Sequence, residues 1–121
     1  MPAESDLFDL INSSTFTEAN NFLHAQKQNP DFDINALEAN ETFLQCALRN
    51  ANGTKAHAAF IEQVLSHPRF EHAMLPSTSL RTPFARALFT ATPNLDVLSA
   101  FVRHKTEKQI DVLFLKKDEL Y

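Results

Sequence analysis

Apolar residues recur along this chain at helical spacing, and nowhere do they alternate long enough to argue for a strand. Leu7, Leu10 and Ile11 form one short stripe, and Phe22, Leu23 and Ala25 a second, behind a capping box running from Thr15 to Glu18. Phe43, Leu44, Ala47 and Leu48 form a third, and Phe60, Ile61, Val64 and Leu65 a fourth that Pro68 stops. Thr82 before Pro83 predicts an N-cap with proline at the first helical position, leading into Phe84, Ala87 and Leu88. Thr92-Pro93 repeats that signal ahead of Leu95, Leu98, Phe101 and Val102, and Thr106 to Gln109 opens a last segment with Ile110, Leu113 and Phe114. The pattern predicts an all-α chain of about seven short helices. None is long enough to be stable alone, so each must be held by its neighbours, and the brief connections favour antiparallel helical hairpins.

The stripes also repeat. The heptapeptide from Thr42 to Leu48 aligns with that from Thr82 to Leu88, keeping Thr, Ala and Leu in register. Phe60, Ile61, Val64, Leu65 and His67 align with Val97, Leu98, Phe101, Val102 and His104. The element "NPDFD" at 29–33 returns as "HPRFE" at 67–71. A period of about 40 residues lies in the range of helical solenoid units. It divides a single domain, 1–121, into units of approximately 5–33, 34–71 and 72–105, with 106–121 as a capping segment. In each proline element the phenylalanine, Phe32 or Phe70, is expected to turn inward and seal the seam to the next unit, leaving Asp31 and Arg69 exposed.

The order of a Thr-led helix, a loop, a second helix and an extended connection resembles the ankyrin repeat. Its T-P-L-H-x-A opening is nearest at "RTPFARAL" (81–88) and "ETFLQCAL" (41–48). The resemblance covers residues 5–105 and has departures. Gln45 and Ala85 replace the family's histidine, so its hydrogen bond within the turn is expected to be missing. The family's glycine before the threonine falls at Asn40 and Leu80; asparagine tolerates a left-handed backbone and leucine does not. The period is longer than the family's 33 residues, and the connections are expected to lack a regular hairpin. In size, acidity and helical character the chain is also similar to small inhibitors among the effectors of intracellular bacterial pathogens, which bind and block ubiquitin-deamidating effectors. That likeness implies a non-enzymatic partner-binding role, with another protein as ligand and no cofactor. It also implies action in the cytoplasm, including the cytosol of a host cell.

Composition narrows the classes. Hydrophobic residues at 44% and charged residues at 21% fit a folded globule rather than a disordered tail. A net charge of −4 argues against nucleic acid, which needs a clustered basic face. No apolar run is long enough to span a bilayer. Gly53 is the only glycine, which excludes a phosphate-cradling loop. Cys46 is the only cysteine, so no internal disulfide forms, in keeping with a reducing compartment.

Candidate chemistry is sparse. Cys46 and His57 are conceivable as nucleophile and base, giving a small cysteine-dependent enzyme as the competing reading, but Cys46 falls on or beside an apolar stripe with nothing around it to stabilise a thiolate. The five histidines have no metal-ligand spacing. His67 and His104 fall at the ends of second helices, where they can meet terminal carbonyls. The more informative stretches are the connections. Residues 71–81, "EHAMLPSTSLR", put Met74 and Leu75 beside Pro76, either as an adaptable binding tip or folded under the seam. By analogy with ankyrin-like proteins, the partner-binding candidates are Asp33, Glu38, Arg49, His72, Met74, Leu75, Arg81 and Arg86. The last segment either caps the final unit or reaches another chain to form a homodimer; a self-assembling helical structural protein is a further alternative.

Overall fold

Six α-helices make up the regular structure of the computed structural model, which describes residues 3–51, 53–75, 82–90 and 92–110. They are α1 (Ala3–Asn12), α2 (Phe16–Gln26), α3 (Phe43–Arg49), α4 (Lys55–Ser66), α5 (Pro83–Leu88) and α6 (Leu95–Arg103). Among the described residues there is no strand, only one isolated antiparallel bridge between Glu38 and Glu41. The chain is a small all-α domain, as its spacing predicts.

The starts of the helices follow from their caps. The Thr42 side chain accepts from the Gln45 N–H while the Gln45 amide oxygen accepts from the Thr42 N–H, at 3.1 and 2.9 Å, closing a capping box on α3. Thr54 caps α4 through the His57 N–H, and Thr82 caps α5 through the Ala85 N–H, with Pro83 at the first helical position as expected. Two starts differ from the sequence reading. Thr15 makes no side-chain cap to α2; its hydroxyl donates instead to the Leu10 carbonyl at 2.9 Å and closes the end of α1. The α6 cap is Asn94, not Thr92, and its amide oxygen accepts from the N–H groups of Asp96 and Val97. Among the described residues no helix starts at Thr106, where a seventh was expected. Residues 104–109 are turns, Gln109 takes a left-handed φ of 54°, and the Ile110 N–H returns to the Lys105 carbonyl at 2.8 Å. This is how a helix is closed, not opened. Residues 111–121, and with them the capping or dimerising role of that segment, lie outside the described residues.

Helix contacts follow a regular order. α1 packs on α2, α3 on α4 and α5 on α6; α1 also meets α3, α3 meets α5, α2 meets α4, and α4 meets α6. Their shared faces bury Leu7, Phe16, Leu23, Phe43, Leu44, Phe60, Ile61, Leu65 and Phe101 almost completely. Phenylalanine supplies much of this bulk. Phe8 stacks on Phe43 with ring centroids 4.3 Å apart, Phe32 lies over the same ring at 5.8 Å, and Phe84 meets Phe101 edge-on at 5.5 Å.

Between the pairs, the two proline elements adopt the same turn. The Phe32 N–H bonds the Asn29 carbonyl at 3.2 Å and the Phe70 N–H bonds the His67 carbonyl at 3.1 Å. Both rings are buried, and Asp31 and Arg69 are exposed, as expected. Their ring partners differ: Phe32 has Phe43, whereas the residue aligned with Phe43 in the next unit is Pro83. The turns are also wired to one another. Arg69 donates to the carbonyls of Pro30 and Asn29 at 3.0 and 3.2 Å, and Lys108 donates to those of His67 and Phe70 at 2.6 and 2.9 Å. The Asn35 side chain spans the first gap, donating to the Arg69 carbonyl and accepting from the Glu71 N–H.

Two expectations drawn from the repeat are corrected here. The bond within the Thr42 turn is not missing, because the Gln45 amide oxygen makes it, and its nitrogen reaches on to the Leu75 carbonyl at 2.8 Å. The first connection does hold a minimal hairpin. Glu38 and Glu41 exchange both backbone bonds at 3.0 Å across a two-residue turn in which Ala39 and Asn40 have φ of 53° and 64°. Asparagine accepts that conformation readily; alanine does so at a cost.

Three outcomes follow for stability, each read from urea unfolding. Phe70→Ala should lose about 3 kcal/mol, the usual cost of emptying a buried phenylalanine site, and Arg69→Ala about 1 kcal/mol from two solvent-accessible bonds. Ala39→Gly should raise stability by roughly 0.5 kcal/mol, because relief of the left-handed strain exceeds the added freedom of the unfolded chain; a loss on this substitution would contradict the turn.

Candidate functional site

The predicted contact residues separate into three places. Asp33 and Glu38 lie on the first connection and are exposed. The Asp33 carboxylate accepts from the Asn35 N–H at 2.9 Å, which fixes the local turn. Leu37 beside Glu38 is 55% exposed, a large apolar side chain at the tip. His72, Met74 and Leu75 lie on the second connection, all half-buried, with Met74 packed against the core and the Leu75 carbonyl held by Gln45. Of the two possibilities, folding under the seam describes Met74 better than a free tip. Arg81 lies outside the described residues.

Arg49 and Arg86 come together at a third place. They stand at the ends of α3 and α5, on the wall of a cleft of about 780 Å³ formed between the α3–α4 turn and the α5–α6 turn. Leu48, Ala87, Phe89, Pro93 and Val97 supply apolar lining, and Thr90 and Thr92 polar lining. Arg49 is engaged: its Nε and Nη2 grip the Glu41 carboxylate, both at 2.9 Å, and Nη2 also reaches the Asn12 Oδ1 at 3.0 Å. Glu41 thereby holds the guanidinium more firmly protonated than usual. Arg86 is half-buried and makes no ion pair with the described residues. Phe89 is 55% exposed. The sequence reading missed Phe89. Its signal was available, since it is a phenylalanine just past the last stripe residue of α5, where an inward role has no helix face to serve.

Cys46 is built into the packing between α1 and α3. Its thiol is buried, 3.5 Å from the Asn12 Oδ1, and receives weak contacts from Arg49 and Asn50. Burial, reinforced by the charge of Glu41, pushes the thiol up to about 11, so it is protonated at neutral pH. His57 does not serve it. The His57 Nε2 donates to the Ala47 carbonyl at 2.9 Å, its Nδ1 has no partner among the described residues, and its ring packs edge-on to Phe16. His67 and His104 occupy the C-cap positions of α4 and α6, matching their alignment, but they do not bond terminal carbonyls through their rings. The His67 Nδ1 accepts from the Arg69 N–H, and the His104 Nε2 pairs with Glu62, which Arg103 also holds. Among the described residues no group of three or more His, Cys, Asp or Glu side chains is placed to hold a metal ion, and no helix is long and apolar enough to cross a membrane.

No family model matches this chain, and no curated protein or solved structure matches it either.

Two measurements test this arrangement. Iodoacetamide should label native Cys46 slowly near neutral pH and rapidly once urea unfolds the chain; fast labelling of the native protein would revive the cysteine-enzyme reading. Stability should fall as the pH is lowered through the ordinary histidine value. His57 and His67 are both held below 6.5, chiefly by burial, and for His67 also by the charges of Arg69, Lys108 and Lys27. The unfolded chain therefore binds more protons in that window and gains as pH falls. Glu62 adds to the loss at lower pH: burial raises its carboxyl, but Arg103 and His104 outweigh this and leave it below 4.5. His57→Gln should flatten the upper part of the profile in urea titrations at a series of pH values.

Proposed function

We propose that this domain is an ankyrin-like protein-binding module that regulates another protein by covering its docking surface. The observation that carries the reading is the repeated wiring of the proline turns. Arg69 binds back onto the turn at 29–30 and Lys108 onto the turn at 67–70, so successive helix pairs are joined by one recurring device. A chain built from recurring pairs presents its connections and turn ends as a surface instead of converging side chains in one pocket. The core chemistry supports the same reading: the lone thiol is buried and protonated, and the one histidine considered as its base bonds elsewhere.

Inhibition is steric in this reading. The exposed Leu37, Glu38 and Asp33 of the first connection and the Arg86–Phe89 end of the third pair are the surfaces that meet the partner. The resemblance to effector inhibitors makes a bacterial ubiquitin deamidase the first partner to try. Mixed with such an enzyme at micromolar concentration, the protein should co-elute as a complex in size-exclusion chromatography and slow ubiquitin deamidation. Separate elution with full deamidase activity would reject that partner.

A further inference from the structure

The cleft between the α3–α4 and α5–α6 turns reverses the electrostatics of the chain around it. The protein carries a net charge of −4, yet among the described residues two arginines and no carboxylate line this cleft. Arg49 is already neutralised by Glu41, which leaves Arg86 as the cation whose charge is uncompensated by any described residue. A half-buried guanidinium without an anion is an unfinished interaction, and its planar fork suits a carboxylate held in two-point contact. Beside it Phe89 is 55% exposed, over a lining of Leu48, Ala87 and Pro93. A volume of about 780 Å³ accommodates several side chains.

We infer that this cleft seats a short acidic segment of a partner protein, with a Glu or Asp carboxylate on Arg86 and a neighbouring aliphatic or aromatic side chain against Phe89. A nucleic-acid strand fits less well. It needs a track of cations and a series of stacking rings, whereas among the described residues this site offers Arg86 as a cation without an ion pair and Phe89 as an exposed ring, in an acidic protein. The inference rests on the protein-binding reading above and names the chemistry that the bound surface must carry.

The test is an NMR titration of the full chain, uniformly labelled with nitrogen-15, with a short synthetic peptide of alternating glutamate and leucine. Versions with glutamine or lysine in place of glutamate serve as controls. The acidic peptide should shift the amides of Arg86, Phe89, Thr90 and Asn94 and leave those of α1 and α2 unmoved. Arg86→Gln should weaken binding about tenfold, equivalent to about 1.4 kcal/mol, with Arg86→Lys between it and the parent. Circular dichroism verifies that both variants keep their helices. Shifts centred elsewhere, equal binding of the glutamine peptide, or unchanged affinity in Arg86→Gln would each overturn the inference. So would complete displacement of the peptide by millimolar inorganic phosphate with shifts confined to Arg86, which would mark a simple anion site. A partner complex that survives both Arg86→Gln and Phe89→Ser would remove the cleft while leaving the protein-binding reading standing.

Discussion

Every helix ends with carbonyl groups that have no partner within the helix, and a chain of short helices has many such ends. At the turns that follow α2 and α4 the problem is met in one way. Pro30 and Pro68 prevent the helix from continuing, the turn folds a phenylalanine inward, and the exposed carbonyls are taken by a cation from the next part of the chain. Arg69 serves Asn29 and Pro30, and Lys108 serves His67 and Phe70. The rest of the arrangement depends on these joints. They set where Phe32 and Phe70 enter the core, where the connections leave, and how each helix pair is placed on the one before. Since none of the helices would be stable in isolation, loss of a joint affects more than one element.

The two boundaries are nevertheless secured by different chemistry. Between the first and second pairs, neutral amide bonds run from Asn20 to the Ala56 carbonyl, from Gln63 to Asn20 and between Asn35 and the backbone of residues 69 and 71. Beside them stand two charged donors on neutral acceptors, Arg69 on the Asn29 and Pro30 carbonyls and Arg49 on Asn12, and no ion pair among the described residues crosses there. Between the second and third pairs the described polar ties across α4 and α6 are charged, with Glu62 held by Arg103 and His104, and Lys108 on the second turn. Gln45, bonded to the Leu75 carbonyl, is the neutral exception. Partly exposed ion pairs are screened by salt and weakened by acid, while amide bonds are affected much less. Attachment of the third pair is therefore the more condition-sensitive part of the domain, and that pair carries Arg86 and Phe89.

Helix existence was legible in the sequence because apolar spacing is a strong signal, and all six described helices fall on predicted stripes. Their ends were less so, for a specific reason. A threonine before a stripe can cap the helix that follows or close the helix that precedes it, and spacing does not separate the two. Thr15 does the second, through Leu10. Thr92 yields to Asn94, which immediately precedes the helix and whose amide oxygen reaches its first N–H groups. Gln45 was discounted because it is not the histidine of the resembled family, although an amide supplies both an acceptor and a donor. As for the site, Arg49 and Arg86 were named singly. Their meeting in one cleft depends on how α3 and α5 pack, which composition does not reveal.

The repeat register explains how one boundary becomes a filled joint and the next an open cleft. Aligning Thr42 with Thr82 places Cys46 against Arg86 and Arg49 against Phe89. At the first boundary the small Cys46 is covered by Asn12, and Arg49 turns back to bond Asn12 and Glu41, so the position is closed with its polar groups satisfied. At the second, the same two positions hold a longer cation and a ring. A guanidinium at the Cys46 position is too large and too costly to bury without an anion, and a phenylalanine at the Arg49 position has no polar group with which to bond across the gap. The turns of the second and third pairs accordingly leave a cleft where those of the first and second meet. Two side-chain differences at equivalent positions thus distinguish a closed contact from a cleft.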